Sequence, residues 1–374
     1  MDVIVRDSLR EATERDSQGR CTVVRDCLGN PNWMLVLRKF RMESVFPELG
    51  CGVHPAFIIN GREVPEILVG MHMASRRGSL AASVPNALPW TRASLSEADA
   101  TCRRCGKGFC LTSNAVYAAN ALLLLKEFGS RHYAGNTDYG RDWKCHWMLG
   151  ELHSKRHYAG DRRLNGKENH WEGGLTLTGS GGIDWTDRLS EWGLSDLVGN
   201  AWEWCSGFRL VNGELQIFPN NDAMAPDADL SSRSKAWRCI LESGELAPAE
   251  SRGSLKYDAF SSGDGENACT GQAFLSDEIS CRIQPRGYAS SPFQSLRARD
   301  GLNVPAIAYA LGLMPLDRQG IQGSYWTRNC GEMAPVRGGG DWSDGSGAGP
   351  FAFFAYHSRY AEDFKFSFRL SYVP

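Results

Sequence analysis

The chain has 374 residues, of which 42% are hydrophobic and 22% are charged, and its formal net charge is −2 at pH 7. These values are ordinary for a globular protein and argue against a general nucleic-acid binder, which would carry a strong positive charge. Its longest apolar run, residues 115–125, is too short to cross a bilayer, so we expect no direct membrane insertion.

The N-terminal part of the chain is expected to be rich in strands. Residues 1–20 are polar, so we expect no secretory signal and synthesis in the cytoplasm. A virion component, a protein exported by another route and a retained protein all remain open. Short apolar segments then occur at 33–40, 56–61 and 66–73, separated by Gly, Pro, Asn and Asp. This pattern predicts short strands within residues 1–90.

Two main helices are predicted after this strand-rich part. Residues 95–102 contain small residues at helical spacing, and residues 114–128 form an almost continuous apolar segment. Serine and threonine precede both segments, as is typical of helix N-caps. The candidate caps are Ser94 or Ser96 for the first helix and Thr112 or Ser113 for the second.

Cysteine and histidine patterns do not predict a metal site or cofactor. The twelve cysteines show no repeated spacing, and the local cluster Cys102, Cys105 and Cys110 has no second CxxC to complete a zinc site. We therefore expect structural thiols there. Four histidines lie close together in sequence, and the HxxxH pair among them is not on a convincing helical pattern, so we expect hydrogen-bonding structural residues: His146, His153, His157 and His170.

Residues 227–300 differ from the rest in composition. They are rich in Ser, Arg, Glu and Gly and contain few apolar pairs. We expect a surface insertion in a single domain covering 1–374, and no repeat of the length found in solenoids is evident. The overall expectation is an α+β fold with many ordered loops and short antiparallel strands.

The stretch GLSDLVGNAWEWCSGF, residues 193–208, is the most informative motif. Gly199 and Asn200 predict a tight turn, after which Trp202 and Trp204 project from the same face of a strand and anchor a core. Further along, an RGG turn precedes Trp342, and a Phe-Arg pair lies near the end. The order GNxWEW, RGG, W and FR resembles the core of the formylglycine-generating enzymes, which implies a C-type-lectin-like fold. The scaffold residues implied are Trp202, Trp204, Arg337, Gly338, Gly339, Trp342, Phe368 and Arg369.

Enzymatic activity of that family is not expected here. Formylglycine-generating enzymes bind copper through two cysteines after the RGG turn, whereas residues 341–360 contain no cysteine. Ser or Asp cannot replace a thiolate for soft Cu(I). A metal-dependent oxidoreductase therefore remains only an alternative. A calcium-dependent lectin is another, with oxygen ligands from Asn220, Asn221 and Asp222, although these residues better suit a polar turn.

A second resemblance covers more of the chain. It is similar to the variable proteins of diversity-generating retroelements, which use a lectin-like fold to display a hypervariable ligand-binding surface. This resemblance implies binding of a variable protein or surface ligand, for example at a phage tail tip or a cell surface, and leaves oligomerisation open. The matching segments are 31–40, 52–64, 107–122, 135–142, 175–185, 193–204, 213–223 and 337–349.

The C-terminal region 337–374 then divides into fixed and variable positions. Phe353 and Phe354 are adjacent and cannot both face a core, so we expect at least one displayed aromatic. Membership of Ala361, Glu362 and Lys365 in the variable set stays open. Fixed positions also include Gly345, Ala348, Gly349 and Phe351. The positions expected to vary and to bind ligand are Asp341, Ser343, Asp344, Gly347, Phe354, Tyr356, His357, Tyr360, Asp363 and Phe364.

Overall fold

A computed structural model describes residues 7–129, 131, 133, 135–137, 174–262, 269–337 and 339–374. Within these residues the protein is mixed α+β, as the sequence predicts. None of the described helices has the length and apolar character needed to cross a bilayer. The four described helices are α1 (Ser8–Asp16), α2 (Leu95–Arg104), α3 (Asn114–Phe128) and α4 (Ala306–Ala310).

Short strands make up most of the regular structure. The first eleven are β1 (Cys21–Arg25), β2 (Pro31–Arg38), β3 (Ile58–Ile59), β4 (Arg62–Glu63), β5 (Glu66–Gly70), β6 (Ala74–Arg77), β7 (Leu80–Ser83), β8 (Phe109–Leu111), β9 (Trp202–Trp204), β10 (Phe208–Val211) and β11 (Glu214–Ile217). The remaining strands are β12 (Arg238–Ile240), β13 (Leu246–Pro248), β14 (Lys256–Ala259), β15 (Ala273–Ser276), β16 (Ala289–Pro292), β17 (Arg297–Ala298), β18 (Ser324–Thr327), β19 (Glu332–Arg337), β20 (Phe353–His357), β21 (Phe366–Phe368) and β22 (Leu370–Tyr372).

The two predicted main helices are confirmed, including their caps. The hydroxyl of Ser94 accepts a hydrogen bond from the backbone of Glu97 at the start of α2, and that of Ser113 accepts from Val116 at the start of α3. Helix α3 ends at Gly129, whose positive φ of 57° is costly for other residues. Because α3 is apolar around most of its circumference, it lies within the largest hydrophobic core.

The smaller of the two main sheets joins the beginning and the end of the chain. Its strand order is β1, β2, β5, β22 and β8. The C-terminal strand β22 therefore occupies an interior position, antiparallel to both β5 and β8. Consequently, the segment that precedes β22 is fixed at its far end by backbone pairing.

The larger sheet contains thirteen strands and carries the C-terminal region. Its main path runs β16, β18, β20, β19, β10, β11, β14, β15 and β17; β12 and β13 branch from β11, while β9 pairs with β19 and β21. Two of its pairings bring distant segments together in parallel, β18 with β20 and β9 with β21. Strand β20 thus lies between β18 and β19, held on both sides.

Residues 227–300 do not form the surface insertion that the sequence predicted. They supply strands β12 to β17 of the larger sheet. Leu255, Tyr257, Leu275 and Phe293 from this segment are at most 1% exposed and belong to the largest core. Single apolar residues in strands of two to four residues bury efficiently when neighbouring strands supply the rest of a core, and such isolated residues give little periodic signal.

Candidate ligand-binding surface

The two tryptophans of the WEW motif are buried, as the sequence predicts. Trp202 and Trp204 are 2% and 0% exposed at the two ends of β9. The indole nitrogen of Trp204 donates to the backbone oxygen of Ala93 at 2.8 Å. The ring of Trp202 meets Trp326 edge to face, with centroids 5.5 Å apart. These contacts make β9 a rigid support for the strands beside it.

The acidic residue between these tryptophans faces the opposite side of the strand and explains the Phe-Arg pair near the end. Arg369 donates to both carboxylate oxygens of Glu203, at 2.7 and 3.0 Å, and both side chains are fully buried. The Tyr117 hydroxyl donates to the same carboxylate. Because a buried charge must be paired, the WEW and FR segments are joined by one ion pair.

The RGG turn is equally constrained. Arg337 is 2% exposed, and its Nε donates to the side-chain oxygen of Asn114 at 2.9 Å. Gly339 has a φ of +68°, and a Cβ atom there would lie 2.2 Å from the backbone oxygen of Leu197. Only glycine satisfies both the backbone conformation and the close approach. Gly338 lies outside the described residues.

One face of strands β16, β18 and β20 carries half-buried aromatic side chains. Ser290 pairs with Trp326, and Trp326 pairs with Phe354, so these three share a face. Phe353 points the other way and is fully buried, whereas Phe354 is half-buried. The two adjacent phenylalanines therefore divide between core and surface, as strand alternation requires.

Five neighbouring residues form a surface that we call the aromatic face: Tyr288, Trp326, Phe354, Tyr356 and His357. Phe354 is central, with ring centroids 5.8 Å from Trp326 and 4.9 Å from Tyr356, and it stacks on His357 at 5.1 Å. Tyr288 lies 5.2 Å from Tyr356. Burial lowers the pKa of His357 to about 4, so this imidazole is neutral at pH 7.

A polar cluster adjoins the aromatic face and corrects one prediction. Asp341 was expected at a displayed position, yet it is only 2% exposed. Its carboxylate accepts from the backbone and hydroxyl of Ser343 at 2.6 and 2.7 Å and pairs with Lys365 at 2.9 Å. A short Asp side chain in a turn accepts hydrogen bonds from nearby backbone and side-chain donors. Asp341 therefore stabilises its own loop and does not face the solvent.

Asp344 connects this polar cluster to the aromatic face. Its carboxylate accepts from the backbone of Asp341 at 2.7 Å, and the Trp202 side chain hydrogen-bonds to it. Burial and the neighbouring Asp341 charge raise the pKa of Asp344 to about 7. The Asp344 carboxyl group therefore changes charge near neutral pH, directly beside the Trp202 indole.

The other expected binding positions occupy different parts of the C-terminal region. Gly347 lies against Trp326, since a Cβ there would be 3.1 Å from that ring. Tyr360 is 70% exposed. Asp363 accepts from the backbone of Lys365, and Phe364 packs against the small core that contains Trp342. The structure therefore brings Gly347, Phe354, Tyr356 and His357 together, with Ser343 and Asp344 adjoining. The Asp363 carboxylate lies close enough to His357 to act on its charge, whereas Phe364 packs elsewhere and Tyr360 projects into solvent.

Three surface residues were missed by the sequence analysis, namely Tyr288, Trp326 and Arg328. The guanidinium of Arg328 lies 4.5 Å from the Tyr356 ring centroid. Trp326 and Arg328 are two residues apart along one strand direction, which predicts a shared face. Their distance in sequence from residues 353–357 concealed the parallel pairing that places them beside β20.

Other candidate ligand groups have structural roles. Burial raises the pKa of Cys105 to about 11 and that of Cys110 to about 12, so both thiols are protonated at pH 7 in the chain as described. Asn221 is buried and donates to the backbone of Ala56. The described residues contain no group of three His, Cys, Asp or Glu side chains placed to hold a metal. The four neighbouring histidines from His146 to His170 lie outside the described residues.

Comparison with known proteins adds no assignment. No protein-family model matches the chain, and no curated protein shows significant similarity to it.

Proposed function

We propose that the protein binds ligands through its C-terminal region and that residues 337–374 are diversified by a retroelement. The proposal includes a C-type-lectin-like fold of the formylglycine-generating type and no catalysis. The observation that carries it is the difference in burial between two sets of residues. Those expected to be fixed are mostly buried, with Gly345 exposed and Gly338 outside the described residues, whereas all of those expected to vary except Asp341 are half-buried or exposed.

Strand pairing supports this separation of roles. Trp204, Phe368 and Arg369 are each fully buried, and replacing them would remove core contacts or leave a charge unpaired. Phe354 and Tyr356 project from an interior strand of the larger sheet and are half-buried; neither belongs to the largest core, and Phe354 packs against the edge of the second core. Substitutions at the second set can change the surface while the backbone keeps its hydrogen bonds.

The aromatic face also has the physical properties of a binding site. Aromatic side chains provide large contact areas and lose little side-chain entropy on binding, as in antibody loops. Strand β20 is held by β18 on one side and β19 on the other, so its backbone is ordered before a ligand arrives. A preorganised backbone lowers the ordering cost of association.

Two matched libraries test this function. In the first, Phe354, Tyr356, His357 and Tyr360 are randomised; in the second, four buried residues are randomised, namely Trp202, Trp204, Phe353 and Phe368. We expect most members of the first library to resist proteolysis, and selection on unrelated immobilised proteins to yield binders. The second library is expected to be largely unfolded. Equal loss of folding in both libraries, or no binders from the first, would contradict the proposal.

A further inference from the structure

Arg328 is a half-buried cation that has no charged partner among the residues described by the structure. Its Nε donates to the backbone oxygen of Gly287 at 2.7 Å, and its guanidinium lies 4.5 Å from the Tyr356 ring. Within the described part of the chain, its two terminal nitrogens have no hydrogen-bond partner and it forms no ion pair. Burial lowers its pKa. Its surroundings are therefore unfavourable for the charge it carries.

A carboxylate ligand would compensate this charge. The planar guanidinium presents a fork that matches carboxylate oxygens, and such charge-assisted pairs are stronger than neutral hydrogen bonds. His357 is neutral at pH 7 because burial lowers its pKa to about 4, so it offers an anion no second positive charge. Arg328 thus presents a cationic group bordered by aromatic rings.

The surroundings of Arg328 favour a saccharide as the bearer of that carboxylate. Trp326 lies two residues away on the same face, a separation of roughly 7 Å along a strand, about the size of one sugar ring. Ser290 lies opposite this indole and Ser324 precedes it on the same face. Their hydroxyls can bond sugar hydroxyls. Strand β16 is the end strand of this face, and the backbone of residues 270–271 already hydrogen-bonds to its outer side at Tyr288 and Ser290. A peptide strand would have to displace these residues to satisfy its backbone amides.

We propose that the aromatic face binds an acidic saccharide, with its carboxylate on Arg328 and a sugar ring stacked on Trp326. This inference rests on the proposed binding function and specifies its ligand class. Both anchor residues lie outside 337–374, the region expected to be diversified. The anchor therefore stays constant while residues of β20, such as Tyr356, alter which saccharide is preferred.

A glycan panel tests the assignment, with neutral, uronic-acid, sialic-acid and sulfated oligosaccharides as probes. We expect the intact chain to retain carboxylate-bearing glycans, and calorimetry to give weaker binding of the carboxyl-reduced form. Arg328→Gln should lower affinity about 10- to 100-fold, because a charge-assisted hydrogen bond is lost. Arg328→Lys should recover only part of it, since the fork is missing. Arg233→Gln, which removes one charge from an exposed site, should bind like the unaltered protein.

The contrary results are equally specific. Retention of no carboxylate-bearing glycan, equal affinity for the carboxyl-reduced form, or unchanged affinity in a folded Arg328→Gln variant each overturns the saccharide assignment. If the glycan test fails while the tail library still yields binders, the proposed function stands without this ligand class. If Arg328-dependent glycan binding is found but the tail library does not fold, the site stands and the diversified function fails.

Discussion

Replacing Arg369 with methionine perturbs the connection between the WEW motif and the end of the chain. Arg369 is fully buried, and it donates to both oxygens of Glu203, to the backbone oxygen of Gly70 at 2.8 Å and to that of Ser195 at 3.0 Å. Methionine fills much of the same volume without a donor or a charge. The substitution therefore removes the interactions while largely preserving the packing.

The expected loss follows from these contacts. Breaking a buried ion pair from one side costs about 3–5 kcal/mol, because the remaining charge is uncompensated. The backbone oxygens of Gly70 and Ser195 also lose a donor, at roughly 0.5–1 kcal/mol each. We expect a total loss of about 4–7 kcal/mol, a large part of the ~5–15 kcal/mol that stabilises a typical domain.

Urea unfolding, followed by tryptophan fluorescence, measures this loss. The double variant Glu203→Gln with Arg369→Met should be more stable than Arg369→Met alone, since the buried negative charge is gone. As a control, Arg10→Met removes an ion pair in which the arginine is 58% exposed and should change stability by about 0.5 kcal/mol or less. A loss below about 1 kcal/mol for Arg369→Met, or no recovery in the double variant, would show that the buried Glu203–Arg369 pair does not hold these segments together.

Three further predictions concern the C-terminal region. Because the pKa of Asp344 is raised to about 7, the folded chain retains a proton that the unfolded chain loses near pH 4. The free energy of unfolding should therefore fall as the pH rises from about 4 to 7. Asp344→Asn should remove this decline when unfolding is measured across that pH range. Gly339→Ala should lower the midpoint of thermal unfolding, because the added Cβ would lie 2.2 Å from the backbone oxygen of Leu197. An unchanged midpoint would show that the turn can relax. Phe353→Ala should cost about 3–5 kcal/mol in urea unfolding, whereas Phe354→Ala should cost clearly less; equal losses would contradict their opposite orientations.

Local features of the fold were predictable from the sequence. The caps Ser94 and Ser113 and the apolar pattern of residues 114–128 locate two helices, because helix signals lie within a few residues of each other. Alternation likewise identifies Trp202 and Trp204 as neighbours on one strand face. These predictions required no knowledge of distant contacts.

The features that the sequence did not predict depend on contacts between distant segments. Glu203 and Arg369 are separated by 166 residues, and their pairing follows from the parallel alignment of β9 with β21. Arg328 joins the aromatic face only because β18 pairs with β20. Within 227–300, short strands containing isolated apolar residues resemble loop sequence until the neighbouring strands are known. Sequence pattern alone cannot specify such pairings.

Sequencing the DNA on both sides of the coding region tests directly whether residues 337–374 are diversified by a retroelement. Retroelement diversification predicts a near-copy of the codons for about residues 337–370, differing from them at adenines of the copy and lying close to a reverse-transcriptase gene. Within the coding copy, codons for Trp342, Phe368 and Arg369 should match the template, and those for Tyr356 and His357 should differ. A flanking region with neither the copy nor the reverse transcriptase would contradict retroelement diversification.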